Sequence, residues 1–140
     1  MKKYLLLVAI SALFINCNKD RVSNENPFLP NYNFSMEVNT NLPTYNQVTF
    51  ASNAIKIFPA NGPSRGVIVF NTGSSFLAFD GGCPNQDLTS CSTLEVSGIN
   101  AVCTCDSASY NLFTGLAAGK EYPLKQYRTE VIGNIIRVYN

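Results

Sequence analysis

The sequence that decides the fold runs from Gly81-Gly82-Cys83-Pro84-Asn85 through Cys91 to Cys103-Thr104-Cys105-Asp106. Glycine and proline beside the first cysteine interrupt regular structure, so this stretch is typical of loops between short strands. Two cysteine-bearing loops of this kind are typical either of a metal centre or of a disulfide framework. The 140-residue chain contains no histidine, and every interpretation of its function depends on that absence.

The N-terminus predicts an export signal that occupies residues 1–16. Lys2 and Lys3 precede an apolar run, Tyr4 to Ile15, which is too short to span a bilayer as a helix. Asn16 and Cys17 follow this run, a pattern that resembles the lipobox of bacterial lipoproteins of the Bacteroidetes type, although a small residue is usual where Asn16 stands. Cleavage before Cys17 would leave a lipidated cysteine, whereas ordinary secretion with cleavage elsewhere would leave an odd thiol.

Beyond the signal, residues 17–33 are predicted to form a lipidated tether and residues 34–140 a single domain. The tether is rich in Asn, Asp, Glu, Ser and Pro and has few large apolar side chains before Phe28, so it cannot bury enough surface to fold alone. Removal of residues 1–16 leaves 124 residues (140 minus 16). This length suffices for one domain with a modest core and leaves no room for a second.

The charge balance excludes one class of partner. Without Lys2 and Lys3, eight basic residues (ten minus two) face nine acidic ones, so the net charge is about −1. This balance gives no electrostatic basis for binding nucleic acid or other polyanions. Acyl chains on Cys17 would attach the protein to a membrane without crossing it. We therefore expect a protein of the bacterial cell envelope, at the outer membrane or the periplasmic face of a membrane.

The rest of the chain is predicted to be all-β, because apolar residues either alternate with polar ones or form short continuous runs. The predicted strands are residues 34–38, 54–58, 66–70, 75–79, 126–132 and 135–139. The continuous runs favour strands that are covered on both faces. Gly133-Asn134 between the last two strands is typical of a two-residue hairpin turn.

From residue 54 to residue 140, the order of these pieces resembles the Rieske [2Fe-2S] domain. In that family two loops place two thiolates on one iron and two imidazoles on the other. Cys83 and Cys103 match the cysteine ligands, whereas Asn85 and Asp106 stand at the histidine positions. The resemblance implies a Rieske-like fold of small antiparallel sheets with two cysteine-containing loops. It also implies a degenerate member that has lost half of its ligands.

The four cysteines after Cys17 allow three pairings, and their positions alone do not choose among them. In Rieske proteins of the respiratory type, an extra cysteine from each loop forms a disulfide that clamps the loops together. The matching positions here are Cys91 and Cys105. The resemblance therefore implies this bridge and leaves Cys83 and Cys103 close enough to form another. Export to a compartment where thiols oxidise favours two disulfides over four free thiolates.

Two metal sites stand as alternatives to the disulfides. A [2Fe-2S] cluster on Cys83 and Cys103 would have to use Asn85 and Asp106 as its remaining ligands, and such hard oxygen donors suit iron in a sulfide cluster poorly. A zinc ion on all four cysteines is the other alternative, but their spacing lacks the short Cys-x2-Cys pairs that are usual for zinc. We expect no cofactor in the first interpretation and an electron carrier in the alternative.

No enzyme activity is indicated, because a chain without histidine has no Ser-His-Asp or Cys-His arrangement. The acidic residues beside the cysteine loops are expected to be solvated: Asp80, Asp87 and Asp106. The aromatic residues that merit inspection for an exposed patch are Tyr110, Tyr122 and Tyr127. The first hypothesis is a membrane-anchored lipoprotein that acts as a binding or accessory module for an unknown protein or small molecule. The alternative is an electron-transfer protein with an atypically ligated cluster.

Overall fold

The computed structural model describes residues 25–140, so the expected signal peptide, Cys17 and most of the expected tether lie outside the described residues. The described part contains a single turn of 3-10 helix, Asn46–Thr49, and nine strands. The strands are β1 Ser35–Asn39, β2 Ala54–Ile57, β3 Val67–Asn71, β4 Phe76–Asp80, β5 Leu94–Ser97, β6 Asn100–Cys103, β7 Ser109–Asn111, β8 Gln126–Ile132 and β9 Ile135–Tyr139. None of these residues belongs to a helix of the length and apolarity that crossing a bilayer requires.

The strands form two antiparallel sheets. The large sheet has the order β1-β9-β8-β4-β3-β2, and the small sheet has the order β5-β6-β7. Val38 of β1 and Ile55 of β2 lie at opposite edges of the large sheet and yet share one apolar core. The large sheet is therefore curled. The prediction of an all-β domain with two cysteine-containing loops is confirmed.

Strand β3 is covered on both faces, as its continuous apolar sequence predicts, and all five of its residues are buried. Val67 and Val69 face the core inside the curled large sheet. Ile68 and Phe70 face a second core, which the small sheet closes from the other side through residues such as Leu94. Since the side chains of a strand alternate between its faces, this one strand joins the two cores and fixes the position of the small sheet.

The six strands predicted from the sequence all exist, with their ends displaced by at most one residue. The hairpin turn between β8 and β9 also occurs as predicted, and Gly133 adopts there a φ of +60°, which favours glycine. The strands of the small sheet have no individual prediction in the sequence analysis. They are three or four residues long, which is too short for alternation to stand out from the surrounding loops.

Residues 26–31, named here the N-terminal strap, pack against the domain although they belong to the segment expected to be a tether. Leu29 is only 3% exposed. The ammonium of Lys125 donates to the carbonyl oxygens of Leu29 and Pro30 at 3.0 and 2.8 Å and to Oδ1 of Asn31 at 2.6 Å. Three acceptors and a buried leucine therefore fix the strap against the domain, although the strap lies before residue 34, where the domain is predicted to start.

A buried polar group lies next to the strap. Asp80, at the end of β4, is only 2% exposed, so the expectation of a solvated carboxylate at this position is wrong. Its oxygens accept hydrogen bonds from the Tyr127 hydroxyl and the Gly82 amide, both at 2.7 Å. Burial raises the pKa of Asp80 and outweighs these hydrogen bonds and the charge of Lys125. Burial likewise lowers the pKa of Lys125, against the attraction of Asp80.

We predict that Lys125→Met loosens the strap while the sheets stay folded. The carbonyls of Leu29 and Pro30 would lose a charged donor, at a cost of about 1–3 kcal/mol for each group left buried and unpaired. Hydrogen exchange followed by mass spectrometry should show faster exchange of residues 26–31. Arg128→Met, at an exposed position of β8, is the matched control and should leave the strap protected. Equal protection of the strap in both variants would contradict the role of Lys125.

Candidate functional site

Two loops meet at one end of the small sheet. The first cysteine loop, residues 81–93, connects β4 to β5. The second cysteine loop, residues 103–108, starts with the last residue of β6 and leads to β7. The first loop starts with a close approach of backbone to backbone: a Cβ atom on Gly81 would overlap the carbonyl oxygen of Arg65. Glycine is therefore required there, and the chain is guided from the buried end of β4 towards the small sheet.

Backbone hydrogen bonds hold the two loops in place. The Leu94 amide donates to the Gly81 carbonyl at 2.7 Å, and the Thr104 amide donates to the Thr93 carbonyl at 3.0 Å. The second loop closes on itself, because the Cys103 amide donates to the Ala108 carbonyl at 2.9 Å. These contacts bring the four cysteines to one place in the molecule.

The cysteines form two disulfides across the loops. Cys83 joins Cys103 with Cα atoms 5.7 Å apart, and Cys91 joins Cys105 with Cα atoms 5.0 Å apart. This is the pairing that the resemblance implies. The two bridges differ in environment, since Cys83 and Cys103 are each 1% exposed and belong to the second core, whereas Cys91 is exposed and Cys105 half-buried.

Asn85, at one of the two histidine positions of the resemblance, ties the first loop to a third segment, residues 119–123. Its Nδ2 donates to the Tyr110 hydroxyl at 2.9 Å and to the Tyr122 carbonyl at 2.7 Å. Its Oδ1 accepts from the Tyr122 amide at 2.9 Å. The amide group of Asn85 therefore uses both of its donor hydrogens and its acceptor within the protein.

Asp106, at the other histidine position, ties the second loop to the same third segment. Its Oδ2 accepts from the ammonium of Lys120 at 2.6 Å, and its Oδ1 accepts from the Ala108 amide at 3.0 Å. The hydrogen bond from Lys120 is the main reason that the pKa of Asp106 lies below its ordinary value. The same hydrogen bond raises the pKa of Lys120. Both side chains are about 30% exposed, so solvent screens this pair strongly.

The donor set in this arrangement does not fit a two-iron cluster. The sulfurs of Cys83 and Cys103 are bonded to each other, and a disulfide sulfur is not the thiolate that iron requires. The amide of Asn85 and the carboxylate of Asp106 are occupied by the third segment. Within residues 25–140, no three His, Cys, Asp or Glu side chains come together in a way that could hold a metal ion.

The structure also places the aromatic and acidic candidates. Tyr110 and Tyr127 are 1% and 2% exposed, so they do not form an exposed patch, and burial raises the pKa of both hydroxyls. Tyr122 is half-buried and Asp87 is exposed. The sequence analysis does not identify Lys120 as the partner of Asp106. The only feature of the sequence that points to Lys120 is its position in the turn-rich segment after the second loop.

Comparisons with known proteins bear on the fold. No protein-family model matches the sequence, and no curated protein matches it. A chain from the complex of reduced oxygenase and oxidized ferredoxin in carbazole 1,9a-dioxygenase matches with a TM-score of 0.51 and 16% identity, over 75% of this chain and 92% of that one. A Sphingomonas yanoikuyae B1 ferredoxin matches with a TM-score of 0.48 and 16% identity, over 67% and 93% respectively. The first similarity, to a ferredoxin of Rieske type, shows a Rieske-like fold and nothing beyond the fold.

We predict that each disulfide contributes separately to stability. The bridges close loops of 20 and 14 residues, for which the chain-entropy estimate is about 3 kcal/mol each. Cys91→Ser/Cys105→Ser should lower the melting temperature by about 10 °C. Cys83→Ser/Cys103→Ser should lower it further, because two hydroxyls would then lie in an apolar core. Calorimetry measures the melting temperatures of both double variants. An unchanged melting temperature in either one would contradict a separate contribution of each bridge to stability.

Proposed function

We propose that this protein is a lipid-anchored protein of the bacterial cell envelope whose Rieske-like domain works without an iron–sulfur cluster, as a binding or accessory module. The observation that carries this proposal is the chemistry at the four positions where the family places its ligands. Two of these positions hold a buried disulfide, and the other two hold Asn85 and Asp106, whose polar atoms bind the third segment.

The cross-links replace what a cluster does for the architecture. A cluster holds two loops together through its metal ions. In this chain the Cys83–Cys103 bridge joins the same loops, while Asn85 and Asp106 join each loop to the third segment. The end of the domain is therefore rigid without metal, and a rigid surface loses little conformational entropy when a partner binds.

The strap supports the proposed place of the domain at a membrane. Nδ2 of Asn26 donates to the carbonyl oxygen of Pro84, at 2.8 Å, within the first cysteine loop. Asn26 stands nine positions after Cys17 (26 minus 17), and nine residues of extended chain reach at most about 30 Å. Lipid on Cys17 would hold the cysteine loops within that distance of the bilayer surface, so the partner would be a protein or small molecule of the envelope close to the membrane.

The proposal assigns no catalytic role to this chain. The absence of histidine removes the commonest general base at neutral pH. Among the residues that the structure describes near the loops, Asp80 is the buried acid. It accepts hydrogen bonds from Tyr127 and Gly82 and supports the packing of β4 against β8. We expect no nucleic-acid partner, because the predicted mature chain is almost neutral.

Metal analysis tests the absence of a cluster. We expect protein isolated anaerobically from its own host to contain less than stoichiometric iron and acid-labile sulfide and to show no visible absorption. Asn85→His/Asp106→His, which restores the family's ligand types, is the matched comparison after reduction and anaerobic reconstitution with iron and sulfide. Stoichiometric iron and sulfide in the native protein would overturn the proposal and establish the electron carrier in its place.

Fractionation tests the anchor. We predict that Cys17→Ala moves the protein from the membrane fraction to the soluble fraction, because the acyl chains supply the attachment. Asn16→Ala, which brings the lipobox closer to its usual composition, is the control and should remain with the membrane. Retention of the Cys17→Ala protein on the membrane would point to another anchor.

A further inference from the structure

The exposed disulfide lies in an environment different from that of its buried neighbour. Cys91 is exposed and Cys105 half-buried, while Cys83 and Cys103 are shut inside the second core at 1% exposure each. Thiol–disulfide exchange requires a thiolate to reach a sulfur atom from outside. In the described part of the chain, Cys91 is the disulfide cysteine that solvent reaches most freely, so an incoming thiol attacks there first.

A hydroxyl group lies against both sulfurs of this bridge. Oγ1 of Thr89 is 3.5 Å from Sγ of Cys91 and 3.7 Å from Sγ of Cys105. Oγ1 of Thr89 is also 3.0 Å from Oγ of Ser92. Whether the Thr89 hydroxyl donates its hydrogen to Ser92 depends on the other hydrogen bonds that Ser92 makes.

The capacity of the Ser92 hydroxyl is already used. Ser92 donates its single hydrogen to the Asp87 carbonyl at 2.6 Å. It accepts from the Thr89 amide at 2.9 Å and from Nε2 of Gln86 at 3.2 Å, which takes both of its acceptor positions. Among the protein atoms recorded around Oγ1 of Thr89, the two disulfide sulfurs are therefore the acceptors left for its hydrogen.

This hydrogen favours the reduced state of the bridge over the oxidised one. A disulfide sulfur is a weak acceptor, whereas a thiolate carries a full charge, and hydrogen bonds to ionised acceptors are about twice as strong as those to neutral ones. Thr89 therefore stabilises the thiolate released on cleavage more than it stabilises the intact bond. The loop that presents it is held in place, since the guanidinium of Arg65 donates to the Thr89 carbonyl.

From these observations we infer that the Cys91–Cys105 disulfide is a site of thiol–disulfide exchange with a protein dithiol, with Thr89 as a positioning residue for the leaving thiolate. This inference goes beyond the proposed function, because it adds a reaction and a class of partner. It does not depend on the lipid anchor. The buried Cys83–Cys103 bridge keeps the two loops joined throughout.

The exchange balances in two steps. A thiolate of the partner attacks Sγ of Cys91, which forms a mixed disulfide, breaks the bond to Cys105 and releases the Cys105 thiolate beside Thr89. The partner's second thiol then attacks its own sulfur in the mixed disulfide and releases Cys91. Two electrons and two protons pass from the dithiol to the bridge, so the partner becomes a disulfide and this chain gains two thiols.

Timed reduction of the full-length protein tests the site. Reduced thioredoxin serves as the protein dithiol and dithiothreitol as the small one, with alkylation and peptide mass spectrometry as readout. We expect labelling of Cys91 and Cys105 at least tenfold faster than labelling of Cys83 and Cys103 with both reagents. A thioredoxin variant that lacks its second cysteine should be trapped on Cys91. Parallel reduction of the two bridges, or trapping on another cysteine, would overturn the inference.

Two substitutions test the role of Thr89. Thr89→Val keeps the shape of the side chain but removes its hydroxyl, and should slow reduction of the Cys91–Cys105 bridge about fivefold. Thr89→Ser restores the hydroxyl and should restore the rate. In both variants, the buried bridge should be reduced at the same rate as in the unsubstituted protein. This comparison separates loss of the hydrogen bond from general loosening of the loop. An unchanged rate in Thr89→Val would overturn the role of Thr89.

Discussion

The cysteine end of this molecule depends on one covalent link, the buried bridge between Cys83 and Cys103. The loops that it joins contain little regular structure of their own, and the bridge adds a covalent link to the backbone hydrogen bonds that hold them. The bridge lies in the core between β3 and the small sheet, so it fixes both the loops and the position of that sheet. Asn85 and Asp106 can each bind the third segment because the bridge holds their loops in fixed positions.

The proposed function requires that a Rieske-like fold persists without a cluster, and other bonds must then hold the loops. Cys83 and Cys103 are joined by one sulfur–sulfur bond, at the positions where the resemblance would place two iron–sulfur bonds. The amide of Asn85 and the carboxylate of Asp106 use both ends of their polar groups for hydrogen bonds within the protein, whereas an imidazole bound to iron keeps only its second ring nitrogen for this purpose. Each replacement satisfies groups that would otherwise be left unpaired at the end of the domain.

The sequence predicts what is repetitive or strongly apolar, and it fails where distant residues decide. β3 and the final hairpin follow from continuous apolar residues and from Gly133-Asn134. The burial of Asp80 does not follow, because its partner Tyr127 is 47 positions away and only the pairing of β4 with β8 brings them together. The strap is missed for the same reason, since it has almost no apolar pattern and is held by Lys125, more than ninety positions further along.

The strap and the two disulfides make the two sides of the cysteine end different: the strap covers one side, and the exposed disulfide lies on the other. The strap binds one side of the first loop through Asn26, whereas Cys91 lies in the exposed part of the same loop. The proposed lipid anchor on Cys17 would restrain the first side, so a partner would have the freest access to the second. We expect the difference in burial to separate two tasks. The inner bridge preserves the architecture, and the outer bridge opens at a cost in stability but without loss of the fold, because the inner one still joins the two loops.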